Sequence, residues 1–217
     1  MTHELTQNDV GGDTNAIAES VKLAGQQSRA GYYGCLAALL RSEPDVDLLQ
    51  SVTALAVVDG HGGELEVAMA MLAVAADSCS LEAVREEYFN LFIGLGRGEL
   101  VPYGSWYQTG FLMEKPLGAL RDDLCRLGFE RDQTVREPED HVAALFEVMA
   151  MMIQDGHALA QQAEFFDNHL SGWITRFFDD LAGAKAATFY MAVARFGAGF
   201  VDFEKQYLDG LSDRQVV

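Results

Sequence analysis

Three carboxylates and an imidazole stand together between Glu137 and His141, where the chain reads Glu-Pro-Glu-Asp-His. Carboxylates can pair with the guanidinium group of arginine, and an imidazole can bind a metal ion or exchange a proton. Glu137 and His141 are four residues apart, so on a helix they would share one face and could ligate a metal. The segment therefore has the groups for a binding site, and the elements around it must decide between this and a structural role.

The residues that follow predict a helix packed against the core. Pro138 fits the first helical position, where its missing N–H costs nothing, and the carboxylates after it suit the positive end of the helix dipole. The same helix-start chemistry explains Glu139 and Asp140. It does not explain His141. A local hydrogen bond and a binding role both remain open for His141. The apolar positions recur at helical spacing: Val142, Leu145, Phe146, Met149, Met152 and Ile153.

A metal enzyme would need more ligands than the sequence supplies. Di-iron bundles use two Glu-x-x-His elements with further glutamates on facing helices, and no such element occurs here. We expect His157 at a surface helix end and His169 in a packed helix. Three glycines between 94 and 98 follow a helix and lack the Gly-Lys-Ser/Thr of a phosphate loop. We therefore expect no catalytic residue, no metal and no cofactor; a small helical metal- or ligand-binding enzyme remains an alternative.

Composition and charge exclude several classes of partner. The 217 residues carry 33 acidic against 15 basic groups, a net charge of −18, which argues against binding to nucleic acid or anionic membranes. An acidic surface would attract a basic peptide. The three cysteines, Cys35, Cys79 and Cys125, form no disulfide framework, and the start of the chain is unlike a signal peptide. The longest apolar runs are about twelve residues, too short to span a bilayer. We expect a soluble, cytoplasmic protein.

Helical periodicity predicts an all-α fold. We expect a disordered tail over residues 1–14, a single bundle of about eight to ten helices over 15–210, and a second tail over 211–217. The predicted helices run from about 16 to 41, 43 to 58, 64 to 77, 80 to 92, 116 to 128, 137 to 153, 159 to 181 and 185 to 208.

Two connections differ from the short loops of a compact bundle. Residues 94–115 have no periodicity but many aromatic side chains, and a loop of this length is usually functional. The charged segment of about 128–137 could act as a hinge, so that the chain would exist as a monomer and as a domain-swapped dimer. Residues 59–63 are expected to form a flexible connection between two helices.

Four motifs occur in a fixed order along the chain. They are Tyr88-x-x-Leu91-Phe92-x-Gly94, Pro102-Tyr103-x-Ser105-x-Tyr107, Glu137-Pro138-x-Asp140-His141 and His169-Leu170-x-x-Trp173. Together they resemble the TorD/DmsD/NarJ-type cytoplasmic chaperones, which mature molybdenum-containing redox enzymes. The resemblance covers roughly residues 30 to 208, and Leu95 departs from it where many members have proline.

The resemblance implies a groove for a signal peptide. Its walls would be the helix with Tyr88, Leu91 and Phe92 and the loop with Pro102, Tyr103, Ser105 and Tyr107, while Asp140 and His141 would form its polar end. An apolar groove can accept the hydrophobic part of a signal, and Glu137 or Asp140 could bind arginine in a bidentate manner that lysine cannot reproduce. Without the resemblance, Tyr88, Leu91 and Phe92 would be assigned to the core. Asp140 would be assigned to a helix cap.

The implied function is that of a chaperone, without enzymatic activity. It would bind the twin-arginine signal peptide and the apoprotein of a molybdopterin oxidoreductase until the cofactor is inserted before export. Residues 94–103 and 113–116 resemble the branch associated with formate dehydrogenases. A helical interaction adaptor with no export role is the further alternative. We expect Tyr103 and His141 to be exposed groups whose removal leaves folding stability almost unchanged.

Overall fold

Residues 10–54, 63–131, 134 and 136–212 are described by a computed structural model of the chain. In these ranges the chain forms ten α-helices and no strand beyond one isolated bridge, so the predicted all-α bundle is confirmed. Residues 1–9 and 213–217 of the predicted tails, and 59–62 of the predicted connection, lie outside them. The helices are α1 (Val10–Arg41), α2 (Val46–Ala54), α3 (Glu64–Ser78), α4 (Leu81–Tyr88), α5 (Gly104–Thr109), α6 (Lys115–Leu127), α7 (Val142–Gln154), α8 (Leu159–Phe166), α9 (Ile174–Gly183) and α10 (Phe189–Ser212).

Local hydrogen bonds fix several helix ends. The Ser80 hydroxyl accepts from the backbone N–H of Ala83 at 3.2 Å and starts α4, as predicted. Gly128 ends α6 with a φ of 86°, a conformation that favours glycine. In α2 the start differs from the prediction: the Asp45 carboxylate accepts from the N–H of Leu48 at 2.8 Å, so the helix begins at Val46.

The predicted hinge can be followed only in part, since residues 132, 133 and 135 lie outside the described residues.

Further helices depart from the prediction. α1 begins at Val10, six residues before the predicted start, and a short helix, α5, forms inside the predicted aromatic loop. The predicted helix over 159–181 is interrupted after a π-helical turn at Asp167–Ser171. There the indole N–H of Trp173 donates to the carbonyl of His169 at 2.7 Å. This carbonyl is therefore engaged by a side chain, and the next helix, α9, begins only at Ile174.

α7 lies at the centre of the bundle. It packs along α1, while α10 packs against α3 and α9. All six apolar positions that were predicted to face the core are buried, which confirms the helical stripe. Gly197 of α10 allows the closest of these contacts, because a Cβ there would lie 2.1 Å from the ring of Phe178 on α9.

The connection between α3 and α4 is a sharp corner. The backbone N–H of Cys79 donates to the carbonyl of Ala75 at 3.0 Å, and the cap at Ser80 starts the next helix immediately. Among the described residues no single helix is long and apolar enough to cross a membrane. In the same ranges, one pair of helical segments, α3 and the segment from Leu81 to Ile93, meets that condition by length and composition, and this pair is bent by 113°.

Candidate functional site

An antiparallel bridge joins the two segments that were predicted to form the groove. Tyr103 pairs with His141: the N–H of Gly104 donates to the carbonyl of Asp140, and the N–H of Val142 donates to the carbonyl of Pro102, both at 2.9 Å. The rings of Tyr103 and His141 meet edge to face, with centroids 5.0 Å apart. The entry to α5 and the entry to α7 are therefore one rigid unit.

The start of α7 differs from the prediction. The helix begins at Val142, and His141 is its N-cap, with Nδ1 accepting from the N–H of Ala143 at 3.2 Å. Placing Pro138 at the first helical position was therefore wrong. The carboxylate of Asp140 instead accepts from the N–H of Ser105 at 2.7 Å, so it caps α5, on the other side of the bridge. The predicted helix-cap chemistry is present, but it serves a helix 35 residues earlier in the chain.

Six of the ten predicted groove residues line a single cavity of about 450 Å³, here called the aromatic cavity. Its volume lies in the range of small-ligand sites. Aromatic rings form one wall, the bridge forms another, and carboxylates stand at the rim. The predicted residues that line it are Tyr88, Phe92, Pro102, Tyr103, Glu137 and His141; Arg41, Ser42, Glu43 and Ile93 complete the lining.

The other four predicted residues are buried behind the walls of the aromatic cavity. Leu91 is fully buried, and its carbonyl accepts from the N–H of Leu100 at 2.8 Å. Ser105 and Asp140 are buried at the cap of α5. Tyr107 stacks on Trp173, with ring centroids 5.4 Å apart, and donates its hydroxyl proton to Asp180 at 3.0 Å. None of the four lines the aromatic cavity.

The glycines that could suggest a phosphate loop have a structural function. A Cβ at Gly98 would lie 2.5 Å from the carbonyl carbon of Phe92, so only glycine allows the loop to return against the π-helical turn at Phe89–Ile93. Gly94 ends that turn with a φ of 62°. These two residues thus shape the backbone that carries Phe92 into the cavity wall.

Burial keeps two polar side chains of the cavity, His141 and Tyr103, neutral. It lowers the pKa of His141 to about 4, and the nearby charge of Arg41 acts in the same direction. A neutral imidazole agrees with Nδ1 acting as a hydrogen-bond acceptor, which places the ring proton on Nε2. Burial also raises the pKa of Tyr103 to about 12. His141 is only 4% exposed and Tyr103 is partly buried, so the expectation that both are exposed was wrong.

This burial predicts a pH dependence of stability. His141 titrates at 6.5 when unfolded and at about 4 when folded. Its contribution is complete above pH 6.5 and is lost as the pH falls towards 4, because the unfolded chain binds the proton first. Between pH 7 and pH 5 the wild type should lose about 2 kcal/mol more than the His141→Gln variant. Urea unfolding of both proteins at the two pH values measures this difference, and parallel losses would contradict it.

The sequence did not indicate Arg41, which lines the aromatic cavity, or its partner Glu147, which does not line it. Nε of Arg41 donates to Oε1 of Glu147 at 3.0 Å, and Nη2 donates to the second oxygen of the same carboxylate. Nη1 lies 3.8 Å from Oε2 of Glu137. One signal could have indicated Glu147, since it is the only charged residue of α7. Nothing local connects it with Arg41, which lies 106 residues earlier.

The other two histidines of the described residues, His157 and His169, contact neighbouring side chains. His157 stacks on Phe129 with centroids 6.0 Å apart, and Nε2 of His169 lies 2.8 Å from Oδ2 of Asp123. Although burial opposes it, the contact with His169 lowers the pKa of Asp123. Within the part of the chain that the structure describes, no group of three or more potential ligands could hold a metal ion.

Comparison with known proteins gives a consistent set of matches. The family model described as nitrate reductase delta subunit matches residues 62–179, more than half of the chain. The chaperone protein TorD of Vibrio cholerae serotype O1 is 30% identical over 153 residues, and that alignment spans 65% of this chain and 65% of the relative. TorD of Shewanella loihica is 27% identical over 202 residues, which cover 84% of this chain and 93% of the relative.

A solved structure shows the same fold. It is the crystal structure of a protein from Archaeoglobus fulgidus described as a redox enzyme maturation protein, with a TM-score of 0.55 and 23% identity. The superposition covers 80% of this chain and 93% of the other. The bundle is thus an arrangement that a sequence of low identity also adopts.

Proposed function

The chain belongs to the nitrate reductase delta subunit family, and from this premise we propose that it is a molecular chaperone for a molybdopterin oxidoreductase. It binds the twin-arginine signal peptide and the apoprotein of its client in the cytoplasm, and it releases them after cofactor insertion, before export. The relatives that are named as chaperones support the class of function. The main support for a peptide site is the aromatic cavity, because it combines apolar walls with carboxylates at its rim.

The size of the aromatic cavity suits side chains better than a whole helix. Two turns of a helix about 10 Å wide would occupy roughly 850 Å³, whereas the cavity holds about 450 Å³. We therefore propose that the backbone of the peptide lies across the opening of the aromatic cavity. One apolar side chain of the peptide enters between Phe92 and Tyr103, and an arginine of the peptide pairs with the carboxylate of Glu137 at the rim. Asp140 is buried at the cap of α5, so Glu137 is the better candidate of the two predicted carboxylates.

A preference for arginine over lysine tests the proposal. A synthetic signal peptide with paired arginines should bind about tenfold more tightly than the same peptide with paired lysines, since a carboxylate binds guanidinium through two parallel hydrogen bonds. Glu137→Gln should narrow this gap, and Tyr103→Ala should weaken both peptides by removing apolar wall. Isothermal titration calorimetry measures all of these affinities.

The matched control is Glu86→Gln, which removes an equal charge from the exposed face of α4, outside the cavity. It should leave both affinities within about twofold, because isolated surface charges act weakly. Equal binding of the two peptides by the wild type would instead favour the adaptor without an export role. A pull-down that identifies the bound oxidoreductase would show whether the client is a formate dehydrogenase.

A further inference from the structure

Arg41 stands where three cavities meet. One is the aromatic cavity. The second, here the α6–α7 groove, is a cavity of about 440 Å³ lined by apolar side chains of both helices and by charged side chains, which include Glu137, Glu147, Arg121 and Arg131. The third, here the α1–α2 pocket, has about 470 Å³ and also includes Glu147. Among the described residues, Arg41 alone lines all three.

The guanidinium of Arg41 is bound as a ligand's guanidinium would be. Glu147 accepts two hydrogen bonds from it in the fork geometry of an arginine–carboxylate pair, and Glu137 lies 3.8 Å from its third nitrogen. Both carboxylates line the α6–α7 groove, and Glu137 also lines the aromatic cavity. Together they form a two-carboxylate site for one guanidinium.

The contacts of Arg41 with Glu137 and Glu147 are accessible to solvent. The side chain of Arg41 is 27% exposed, and those of Glu137 and Glu147 are 47% and 44% exposed. Pairs of this kind are screened by water and contribute little to folding. An incoming arginine can therefore replace Arg41 without disturbing the core, in contrast to the fully buried pair of Arg29 and Glu204.

The charge around Arg41 is not balanced. Glu147 accepts two hydrogen bonds from it, and Glu137 lies 3.8 Å away. The three cavities are lined by six carboxylates and three guanidinium groups, which leaves an excess of three negative charges; the carboxylates are Glu43, Asp45, Glu130, Glu137, Glu139 and Glu147, and the guanidinium groups are Arg41, Arg121 and Arg131. A segment with two cationic side chains would reduce this excess, and the net charge of −18 favours its approach.

We infer that Glu137 and Glu147 form a guanidinium site that Arg41 of the same chain occupies until an arginine of the bound segment displaces it. The inference rests on the proposed peptide site and adds its regulation. Arg41 and Glu137 line both the aromatic cavity and the α6–α7 groove, so departure of the Arg41 guanidinium would leave more room where the two cavities meet. Arg41 thereby makes binding selective, since only a group that pairs with both carboxylates replaces it well.

The displacement can be observed without a peptide. The Nε–H signal of Arg41 in a ¹⁵N NMR spectrum is identified by its absence from the Arg41→Gln variant. Titration with N-acetyl-arginine amide should shift this signal, and N-acetyl-lysine amide at the same concentration should shift it less. A signal that stays unmoved at saturating arginine amide overturns the inference.

Peptide affinity gives the second measurement. Arg41→Gln should bind the paired-arginine peptide about three- to tenfold more tightly than the wild type, because the internal competitor is gone. Arg195→Gln is the matched control: it removes the same charge from the exposed face of α10, away from all three cavities. A gain for Arg41→Gln no larger than that for Arg195→Gln overturns the inference.

The two proposals can fail separately. If the wild type binds the peptide but arginine amide leaves Arg41 unmoved, the chaperone site stands and the displacement is wrong. If arginine amide displaces Arg41 but the wild type does not bind the peptide, the guanidinium site is supported and the signal-peptide function is wrong.

Discussion

Replacing Glu204 with glutamine should destabilise the protein by about 3 to 5 kcal/mol, since it leaves a buried guanidinium without its counter-charge. Arg29 and Glu204 are fully buried, and two hydrogen bonds, of 2.8 and 2.5 Å, join them. Tyr33 donates to the same carboxylate at 3.1 Å, and Gln162 accepts from Arg29 at 3.1 Å. The network thus ties α1 and α10 to α8, and glutamine can replace its shape but not its charge.

Two variants separate this effect from a general loss of contacts. Glu164→Gln removes one carboxylate of an exposed pair with Arg126 and should cost less than about 1 kcal/mol. The double variant Arg29→Met with Glu204→Leu should lose less stability than Glu204→Gln alone, because it leaves no buried charge. Urea unfolding measures all three. A double variant that is as unstable as the single one would show that the hydrogen bonds, and not the unpaired charge, determine the loss.

Leu145→Ala should cost roughly 2 to 5 kcal/mol, because it opens a cavity in the centre of the core. Leu145 is only 1% exposed on the buried stripe of α7, and it lines none of the three cavities around Arg41. The folded fraction of this variant should therefore bind the signal peptide as the wild type does. Gln154→Ala, an exposed change on the same helix, should remain within about 0.5 kcal/mol of the wild type.

Stability and binding are thus expected to depend on different residues of one region. Thermal unfolding and calorimetry on Leu145→Ala and Tyr103→Ala measure both quantities. Loss of peptide binding by folded Leu145→Ala would mean that the cavity needs the exact packing of α7, and the separation would then be wrong. His141 belongs to both groups, since it caps α7 and also lines the cavity.

The sequence determined the features that depend on neighbours along the chain. The apolar stripe of α7 follows from the helical repeat, because residues three and four apart share a face. The cap at Ser80 and the end of α6 at Gly128 are local backbone chemistry. The four ordered motifs indicated the family, and six of the residues they named line one cavity.

The tertiary structure decided which partner each polar group has. Asp140 caps α5 and not its own helix, since the bridge between Tyr103 and His141 brings Ser105 within 2.7 Å of its carboxylate. The pairing of Arg41 with Glu147 spans 106 residues, and that of Arg29 with Glu204 spans 175. Such contacts carry no periodic signal, because a charged residue looks the same in sequence whether it faces water or a distant partner. Burial therefore had to be seen before His141 could be recognised as a neutral, structural part of the site.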